Sequence, residues 1–187
     1  MRNEQERLRL ATRLMIENYY GAWLTHVVTL TMFECKKGST ITSEGWAKGA
    51  VNAFEIAITE KGALATIRYF VEALNYKLYK RKTRKARYKN CCRIIAIPVL
   101  EGVNGDKRMH IHILLGNLPS ITAAELETAI KDVWAKTKWG MGRIQIDELH
   151  DIDGAAFYVT KEVGFSNNDA VCWKQASIPG RLRGVWA

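Results

Sequence analysis

Apolar and polar positions repeat with two different periods along the chain, and these periods separate predicted strands from predicted helices. Four segments rich in β-branched and apolar residues predict strands, at residues 26–33, 93–101, 108–115 and 143–147. Asn104–Gly105, between the second and third strands, is the strongest short signal for a β-hairpin. Pro98 removes one backbone donor, so the second strand is predicted to lie at a sheet edge or to contain a bulge.

Apolar residues that recur every three or four positions predict four helical regions. They are expected at about 3–20, at 42–80 with a break near Gly62, from a capping box at Thr122 to a stop at Gly140, and from about 151 to 164. Asp151 or Asp153 would cap the last helix. The segment from 180 to 184 predicts a basic loop. At 187 residues, the chain is long enough for one well-buried domain.

The hairpin predicts which side chains share a face of the sheet. A loop of even length centred on Asn104–Gly105 places His110 opposite Val99. Glu101 is then a diagonal neighbour of His110 on the same face, and its direct partner is Arg108.

Two histidines, His110 and His112, stand two residues apart on the third predicted strand. Because side chains alternate across a strand, both imidazoles leave the same face. With the Glu101 carboxylate they are predicted to form a catalytic metal site that leaves positions open to water or substrate. Two nitrogen ligands make Mn²⁺ as suitable as Mg²⁺, which prefers oxygen. A structural or solvent-facing histidine pair is the more common alternative.

Tyr158 and Lys161 are three residues apart in the last predicted helix, where both side chains would lie on one face. An ordinary phenol is almost fully protonated at neutral pH and is therefore a weak nucleophile. A neighbouring lysine favours the phenolate or binds the phosphate under attack, and either effect favours a covalent phosphotyrosine. The alternative is a tyrosine ring that simply packs against a lysine stem.

Positive charge is concentrated in one segment. The chain has 28 Lys and Arg against 19 Asp and Glu, which gives a formal net charge of +9. The basic segment, residues 77–89, contains no acid and eight cations: Lys77, Lys80, Arg81, Lys82, Arg84, Lys85, Arg87 and Lys89. Tyr76, Tyr79 and Tyr88 interleave with them. Cations contact phosphates and rings stack on bases, so the mixture indicates nucleic-acid binding, with a solvated helix end and loop as the alternative.

The cysteines and the N-terminus indicate the cellular compartment. Cys35, Cys91, Cys92 and Cys172 lack the spacing of a zinc site and are interpreted as reduced thiols. The N-terminal pattern is amphipathic and lacks the apolar core of a secretory signal. No uninterrupted apolar run approaches the roughly 20 residues that cross a bilayer. These features predict a cytoplasmic protein that does not associate with a membrane.

Three motifs follow one another: residues 27–32 (Val-Val-Thr-Leu-Thr-Met), Glu101 with His110 and His112, and Tyr158 with Lys161. Their order resembles that of the HUH endonucleases, and more narrowly that of the single-tyrosine Rep proteins that initiate rolling-circle replication of plasmids and small phages. The neighbouring segments 74–78 and 115–119 are similar to stretches in bacterial plasmid and phage Reps. The resemblance extends from about residue 24 to residue 184.

The resemblance implies an α+β fold, in which helices flank a central antiparallel β-sheet of the ferredoxin-like or RRM-like kind, as one nuclease domain over residues 1–187. It implies metal-dependent nicking of single-stranded DNA at an origin hairpin in a bacterial cell, with the 5′ phosphate on Tyr158. His110 and His112 match metal ligands, and Glu101 matches a ligand position whose residue varies. No helicase domain with a Gly-rich phosphate loop follows, so a host helicase and polymerase are the expected partners.

The remaining candidate residues have less specific roles. Thr29 and Thr31 match the first motif, which serves architecture or DNA positioning, and Arg181 and Arg183 are assigned to DNA binding. His26 and His150 are expected at the surface rather than at the site. The oligomeric state stays open.

Other functions also stay open. A single-tyrosine transposase or a conjugative relaxase would share the chemistry. A catalytically silent DNA-binding regulator would share the fold, although the intact histidines, Tyr158 and Lys161 argue against it. The histidine-triad nucleotide hydrolases begin with the same His-x-His, but Leu114 stands where their third histidine belongs. An RNA-binding module would need an aromatic strand motif that this sequence lacks.

Overall fold

The computed structural model describes residues 2–32, 58–80, 82, 91–103, 109–163 and 167–183. The helices and strands are α1 (Arg2–Met15), β1 (Leu24–Met32), α2 (Glu60–Tyr79), β2 (Ile95–Glu101), β3 (His110–Gly116), α3 (Ala123–Trp134), β4 (Gly140–Glu148), α4 (Ile152–Val159) and α5 (Gly180–Arg183). A π-helical turn, Ile16–Tyr20, extends α1. The fold is α+β with a central antiparallel sheet flanked by helices, which confirms the expected class.

The sheet has four strands in the order β2-β3-β1-β4, and each neighbouring pair is antiparallel. β2 therefore lies at one edge, as Pro98 predicts. A later segment bridges its outer side: Ala96 pairs with Ser177 and Val99 pairs with Val171. The backbone N–H of Cys172 also donates to the Pro98 carbonyl at 2.8 Å.

The two faces of the sheet differ in what covers them. One face packs against α2 and α3, where Phe70 and Trp134 meet edge to face with ring centroids 5.7 Å apart. The other face carries a smaller apolar cluster, in which Leu114 packs with Ala156 and Val159 of α4. Because side chains alternate along a strand, residues of β1 and β3 that leave the first core point toward α4.

The register of the β2–β3 hairpin differs from the prediction. Glu101 pairs with His110 and not with the predicted Arg108. Val99 pairs with His112 and not with the predicted His110. Hairpin register depends on loop length. The connection between the paired residues is two residues longer than a loop centred on Asn104–Gly105 would make it, so the partner of each β2 residue shifts by two along β3. A shift of two keeps every side chain on its face, so Glu101 and both histidines still lie together.

The ends of two helices also differ from the prediction. α4 ends at Val159 instead of near residue 164, and Lys161 lies in the turn that follows. The hydroxyl of Thr160 donates to the Ala156 carbonyl at 2.7 Å, a local bond that competes with helix continuation. α3 ends at Trp134, and Gly140 begins β4 rather than stopping the helix. A Cβ atom at Gly140 would lie 2.4 Å from the Trp134 carbonyl oxygen, so the close approach requires glycine.

Two helix starts follow local sequence signals. Thr122 and Glu125 form the predicted capping box of α3. Thr59 caps α2 and accepts from the backbone of Gly62, which places Gly62 in the first turn of the helix and not at a break between two helices. The predicted helical residues 42–57 lie outside the described residues. Residues 180–183 form the short helix α5 where a loop was expected.

The described cysteines and helices bear on two other expectations. Cys91, Cys92 and Cys172 carry thiols, as predicted, while Cys35 lies outside the described residues. Among the helices that the structure describes, none combines the length and apolar character needed to cross a membrane.

Candidate active site

Polar side chains gather on the sheet face that α4 covers, although the opposite face is an apolar core. Strand pairing explains this, because Thr29 lies opposite His112 and Thr31 lies opposite His110. On the other side of β3, Glu101 lies opposite His110. Three strands therefore bring hydroxyl, imidazole and carboxylate groups to one patch.

A cavity of about 650 Å³ lies between this patch and α4. Its polar lining consists of Thr29, Glu101, His110, His112, Gln145, Asp147 and Tyr158. The predicted nucleophile and all three predicted metal ligands thus line one cavity. The volume is in the range of ordinary ligand sites.

The His112 ring is held at both nitrogens. Its Nδ1 lies 3.0 Å from the hydroxyl oxygen of Thr29, and its Nε2 lies 2.9 Å from Oε2 of Glu101. Burial lowers the pKa of His112 below its ordinary value, although the bond to Glu101 opposes this. The ring is therefore neutral at pH 7, the form that binds metal ions.

The Glu101 carboxylate is buried but bonded on both oxygens. Oε1 lies 2.9 Å from Nζ of Lys161, while Oε2 contacts His112. Burial raises the pKa of Glu101, but the hydrogen bonds from Lys161 and His112 outweigh burial and hold it below the ordinary value. The carboxylate is thus ionised, as a buried charge with partners can be.

Lys161 and His112 both approach the ring of Tyr158. The Lys161 ammonium lies 3.8 Å from the ring centroid, and the His112 ring meets it edge on with centroids 5.4 Å apart. Burial lowers the pKa of Lys161, but hydrogen bonds with Glu101 and Tyr158 raise it above the ordinary value. Tyr158 itself is 50% exposed. A charged lysine therefore lies beside a tyrosine that solvent and large ligands can reach.

Contacts at both of its ends fix the helix that holds Tyr158. Asp151 caps α4 by accepting from the backbone of Gly154 at 2.9 Å. Arg9 and Arg13 of α1 lie over the ring of Phe157, with the guanidinium carbons 4.5 and 5.6 Å from its centroid. The orientation of Tyr158 thus depends on packing from the N-terminal helix as well as from the sheet.

The donor atoms of the cavity suit a divalent ion in chemical type. Nε2 of His112 and Oε2 of Glu101 converge, and His110 lines the same cavity. Two imidazoles and a carboxylate are ligands that Mn²⁺ accepts. Within the described residues, however, no group of three His, Cys, Asp or Glu side chains is already arranged around an ion position. The bond between His112 and Glu101 would have to open for a metal ion to bind at Nε2.

The predicted DNA-binding residues are only partly described. Thr29 lines the cavity, and Thr31 is buried beside His110. Lys77 pairs with Asp132 of α3 at 2.7 Å, on the opposite side of the sheet from Tyr158. Lys80 is the C-cap residue of α2, and Lys82 is exposed. Five more lie outside the described residues: Arg81, Arg84, Lys85, Arg87 and Lys89.

Arg181 and Arg183 belong to α5, but their side chains lie outside what the structure describes. His150 is exposed, as expected, with its Nε2 3.8 Å from Glu148. His26 lines a second cavity beside α3, and its Nδ1 lies 2.8 Å from the hydroxyl oxygen of Thr25. The structure therefore places His26 and His150 away from Tyr158.

Sequence reasoning missed two polar residues of the cavity, Gln145 and Asp147. They alternate along β4, and the side chains bond to each other at 2.9 Å. Gln145 lies opposite Thr29 on the neighbouring strand. Alternation within 143–147 indicated that both share a face, but only the long-range pairing of β4 with β1 shows which face it is.

The arrangement supports phosphoryl transfer in chemical terms. It combines a neutral imidazole, an ionised carboxylate and a charged lysine around an accessible phenol.

Comparisons of this chain with protein-family models, with curated proteins and with solved structures found no match.

Proposed function

We propose that this protein nicks and rejoins single-stranded DNA at a replication origin through a covalent 5′-phosphotyrosine, and thereby initiates rolling-circle replication. One observation carries the proposal: Tyr158 lies against both His112 and Lys161 in the cavity that Glu101 and His110 also line. These residues come from distant parts of the chain and form the motif set that resembles HUH endonucleases.

The phenol oxygen of Tyr158 attacks the scissile phosphorus, and the bond from phosphorus to the 3′ oxygen breaks. The phenolic proton leaves to solvent, and the departing 3′ oxygen takes up a proton. Lys161 favours this step because its ammonium stabilises negative charge on the phenol and on the phosphate oxygens. Lys161 is itself oriented by Glu101, 2.9 Å away.

His110, His112 and Glu101 would hold the divalent ion. When bound, Mn²⁺ or Mg²⁺ supplies Lewis-acid polarisation of the scissile phosphate. Burial of the His112 ring favours its neutral form, which is able to bind a metal ion.

A phosphotyrosine preserves the energy of the phosphodiester, so the reaction is reversible. A free 3′ hydroxyl that enters the cavity loses its proton and attacks the phosphorus. The bond from phosphorus to the phenol oxygen of Tyr158 breaks, the phenol regains a proton, and the DNA strand is restored. The same site therefore joins as well as cuts, which suits an initiator that must end each round of replication.

The accessibility of Tyr158 and the charge of the chain support a polyanionic substrate. Half of the Tyr158 surface is exposed, so a strand of DNA can reach the phenol without opening the fold. The basic segment accounts for eight of the net positive charges and supplies contacts to phosphates. In a bacterial cytoplasm the 3′ end would pass to a host polymerase, with a host helicase unwinding the duplex.

The test is a covalent adduct. The full chain is incubated with single-stranded origin DNA of its replicon and Mn²⁺, and a denaturing gel is examined for a slower protein–DNA band. Tyr158→Phe should remove the band, whereas Tyr69→Phe, on the exposed surface of α2, should retain it. An undiminished adduct in the Tyr158→Phe protein refutes the assignment of the nucleophile. Adducts of equal yield on unrelated strands would instead favour a less selective strand transferase.

A further inference from the structure

Thr29 lies on β1 in the candidate site, and its hydroxyl contacts the side chain of His112. It stands directly opposite His112 in the β1–β3 pair, and its Oγ1 lies 3.0 Å from Nδ1 of the ring. A β-branched residue on a strand has few rotamers, so the position of this hydroxyl is well defined. The contact reaches His112 on the side away from Glu101.

The two nitrogens of His112 have complementary partners. Nε2 faces a carboxylate oxygen of Glu101 at 2.9 Å, and an ionised carboxylate only accepts hydrogen bonds. A neutral ring therefore carries its proton on Nε2, and Nδ1 accepts from the hydroxyl of Thr29. A metal ion at Nε2 requires the other tautomer, because a neutral imidazole that donates its Nε2 lone pair has its proton on Nδ1.

A hydroxyl serves both tautomers, since it donates and accepts. A carbonyl or carboxylate in its place could only accept a hydrogen bond. It would therefore suit only the metal-bound tautomer, which has its proton on Nδ1. A methyl group would suit neither. Thr29 thus keeps the ring in one orientation while the proton moves from one nitrogen to the other.

We infer that Thr29 is a positioning residue for His112, holding the ring ready to exchange its hydrogen bond with Glu101 for a metal ion. This gives Thr29 a specific role toward the metal ion, where the sequence indicated only architecture or DNA positioning. The inference rests on the proposed function, because it takes His112 as a metal ligand.

The experiment measures Mn²⁺ binding to the full chain without DNA, from the electron paramagnetic resonance signal of the free ion. Thr29→Val preserves shape but removes the hydroxyl, and should weaken Mn²⁺ binding by about tenfold, as loss of an outer-shell partner does. Thr29→Ser retains the hydroxyl and should restore most of the affinity. Wild-type affinity in Thr29→Val, or no recovery in Thr29→Ser, overturns the inference.

The chain supplies a matched control. Thr25 lies on the same strand and its hydroxyl oxygen is 2.8 Å from Nδ1 of His26, a bond of the same kind in a different cavity. Thr25→Val removes a threonine–histidine bond without touching His112, and should leave Mn²⁺ affinity unchanged. An equal loss in Thr25→Val and Thr29→Val would reveal a general effect on the strand and overturn the specific role.

Nitrogen NMR of the His112 ring tests the inference without any substitution. In the ion-free wild type the proton should reside on Nε2, and saturating Mg²⁺ should move it to Nδ1. A ring that is protonated on Nδ1 in the ion-free protein overturns the inference even if Thr29→Val does not fold.

His112→Ala separates this inference from the proposed function. If His112→Ala loses Mn²⁺ while Thr29→Val does not, only the role of Thr29 fails. If His112→Ala binds Mn²⁺ as tightly as wild type, the metal site of the proposed function fails as well.

Discussion

The ammonium of Lys161 lies 2.9 Å from the carboxylate of Glu101, and this pair joins the end of α4 to the β2–β3 hairpin. Glu101 is thereby bonded to a lysine beside Tyr158, the proposed nucleophile, and to the candidate metal ligand His112. Lys161 makes this contact from the turn that follows α4. Lys161, expected from the sequence to act on Tyr158 or on the phosphate, is thus also bonded to a candidate metal ligand.

Removing the charge of Lys161 should slow strand cleavage. Lys161→Met preserves the apolar stem but removes the cation beside the phenol, and should reduce the single-turnover rate of adduct formation by about 100-fold. Lys174→Met, at an exposed lysine in another part of the chain, is the control and should react like wild type. An unchanged rate in Lys161→Met would show that the ammonium only packs against the ring.

Removing both imidazoles should abolish cleavage and preserve the fold. The double variant His110→Ala with His112→Ala loses the nitrogen ligands, so adducts should fall below detection, as they should for wild type in excess chelator. Binding of single-stranded DNA, followed by fluorescence anisotropy, should largely survive. His150→Ala changes an exposed histidine beside Glu148 and serves as the control. A fully active double variant would remove the metal ion from the mechanism.

The capping box of α3 should make stability depend on acidic pH. Hydrogen bonds from the backbone and the hydroxyl of Thr122 lower the pKa of Glu125. A carboxylate whose folded pKa is depressed contributes stability above its unfolded pKa, and this contribution disappears as pH falls through the folded value. Glu125→Gln should therefore lower the melting temperature at pH 7, and the difference from wild type should vanish in strong acid.

A second substitution checks the source of that pH dependence. In a Thr122→Ala background the partner hydroxyl is absent, so Glu125→Gln should have a smaller effect at pH 7 than it has in wild type. Equal effects in both backgrounds would place the pH dependence elsewhere in the chain.

Neutralising the basic segment should reduce the salt dependence of DNA binding. For every phosphate that the protein no longer neutralises, the slope of log affinity against log salt should fall by roughly 0.7 on a single strand. The substituted residues are Lys80, Arg81, Lys82, Arg84 and Lys85, each changed to Gln. Lys131→Gln with Lys174→Gln removes two cations elsewhere and should change the slope little. An unaltered slope after the five changes would mean that the segment is only a solvated surface.

Local sequence signals predicted much of the site, because they act over a few residues. Alternation placed His110 and His112 on one face, and the caps at Thr122 and Asp151 located two helix starts. These features depend on backbone geometry that short segments determine by themselves.

The features that the sequence did not predict depend on contacts between distant parts of the chain. The hairpin register was wrong because it depends on the whole connection between Glu101 and His110. Gln145 and Asp147 were missed because nothing near them in sequence indicates that β4 pairs with β1. The contact of Lys161 with Glu101 spans distant parts of the chain, so no spacing rule could have found it.

The bridging of β2 by residues after α4 bears on how the proposed metal site would respond to an ion. Ala170 accepts from the Leu100 backbone at 2.8 Å, immediately before Glu101, while β3 holds the other side of the strand. Because hydrogen bonds hold the main chain of β2 on both sides, Glu101 can exchange hydrogen-bond partners by side-chain rotation alone. In the proposed reaction, the backbone of β2 would therefore need little reorganisation.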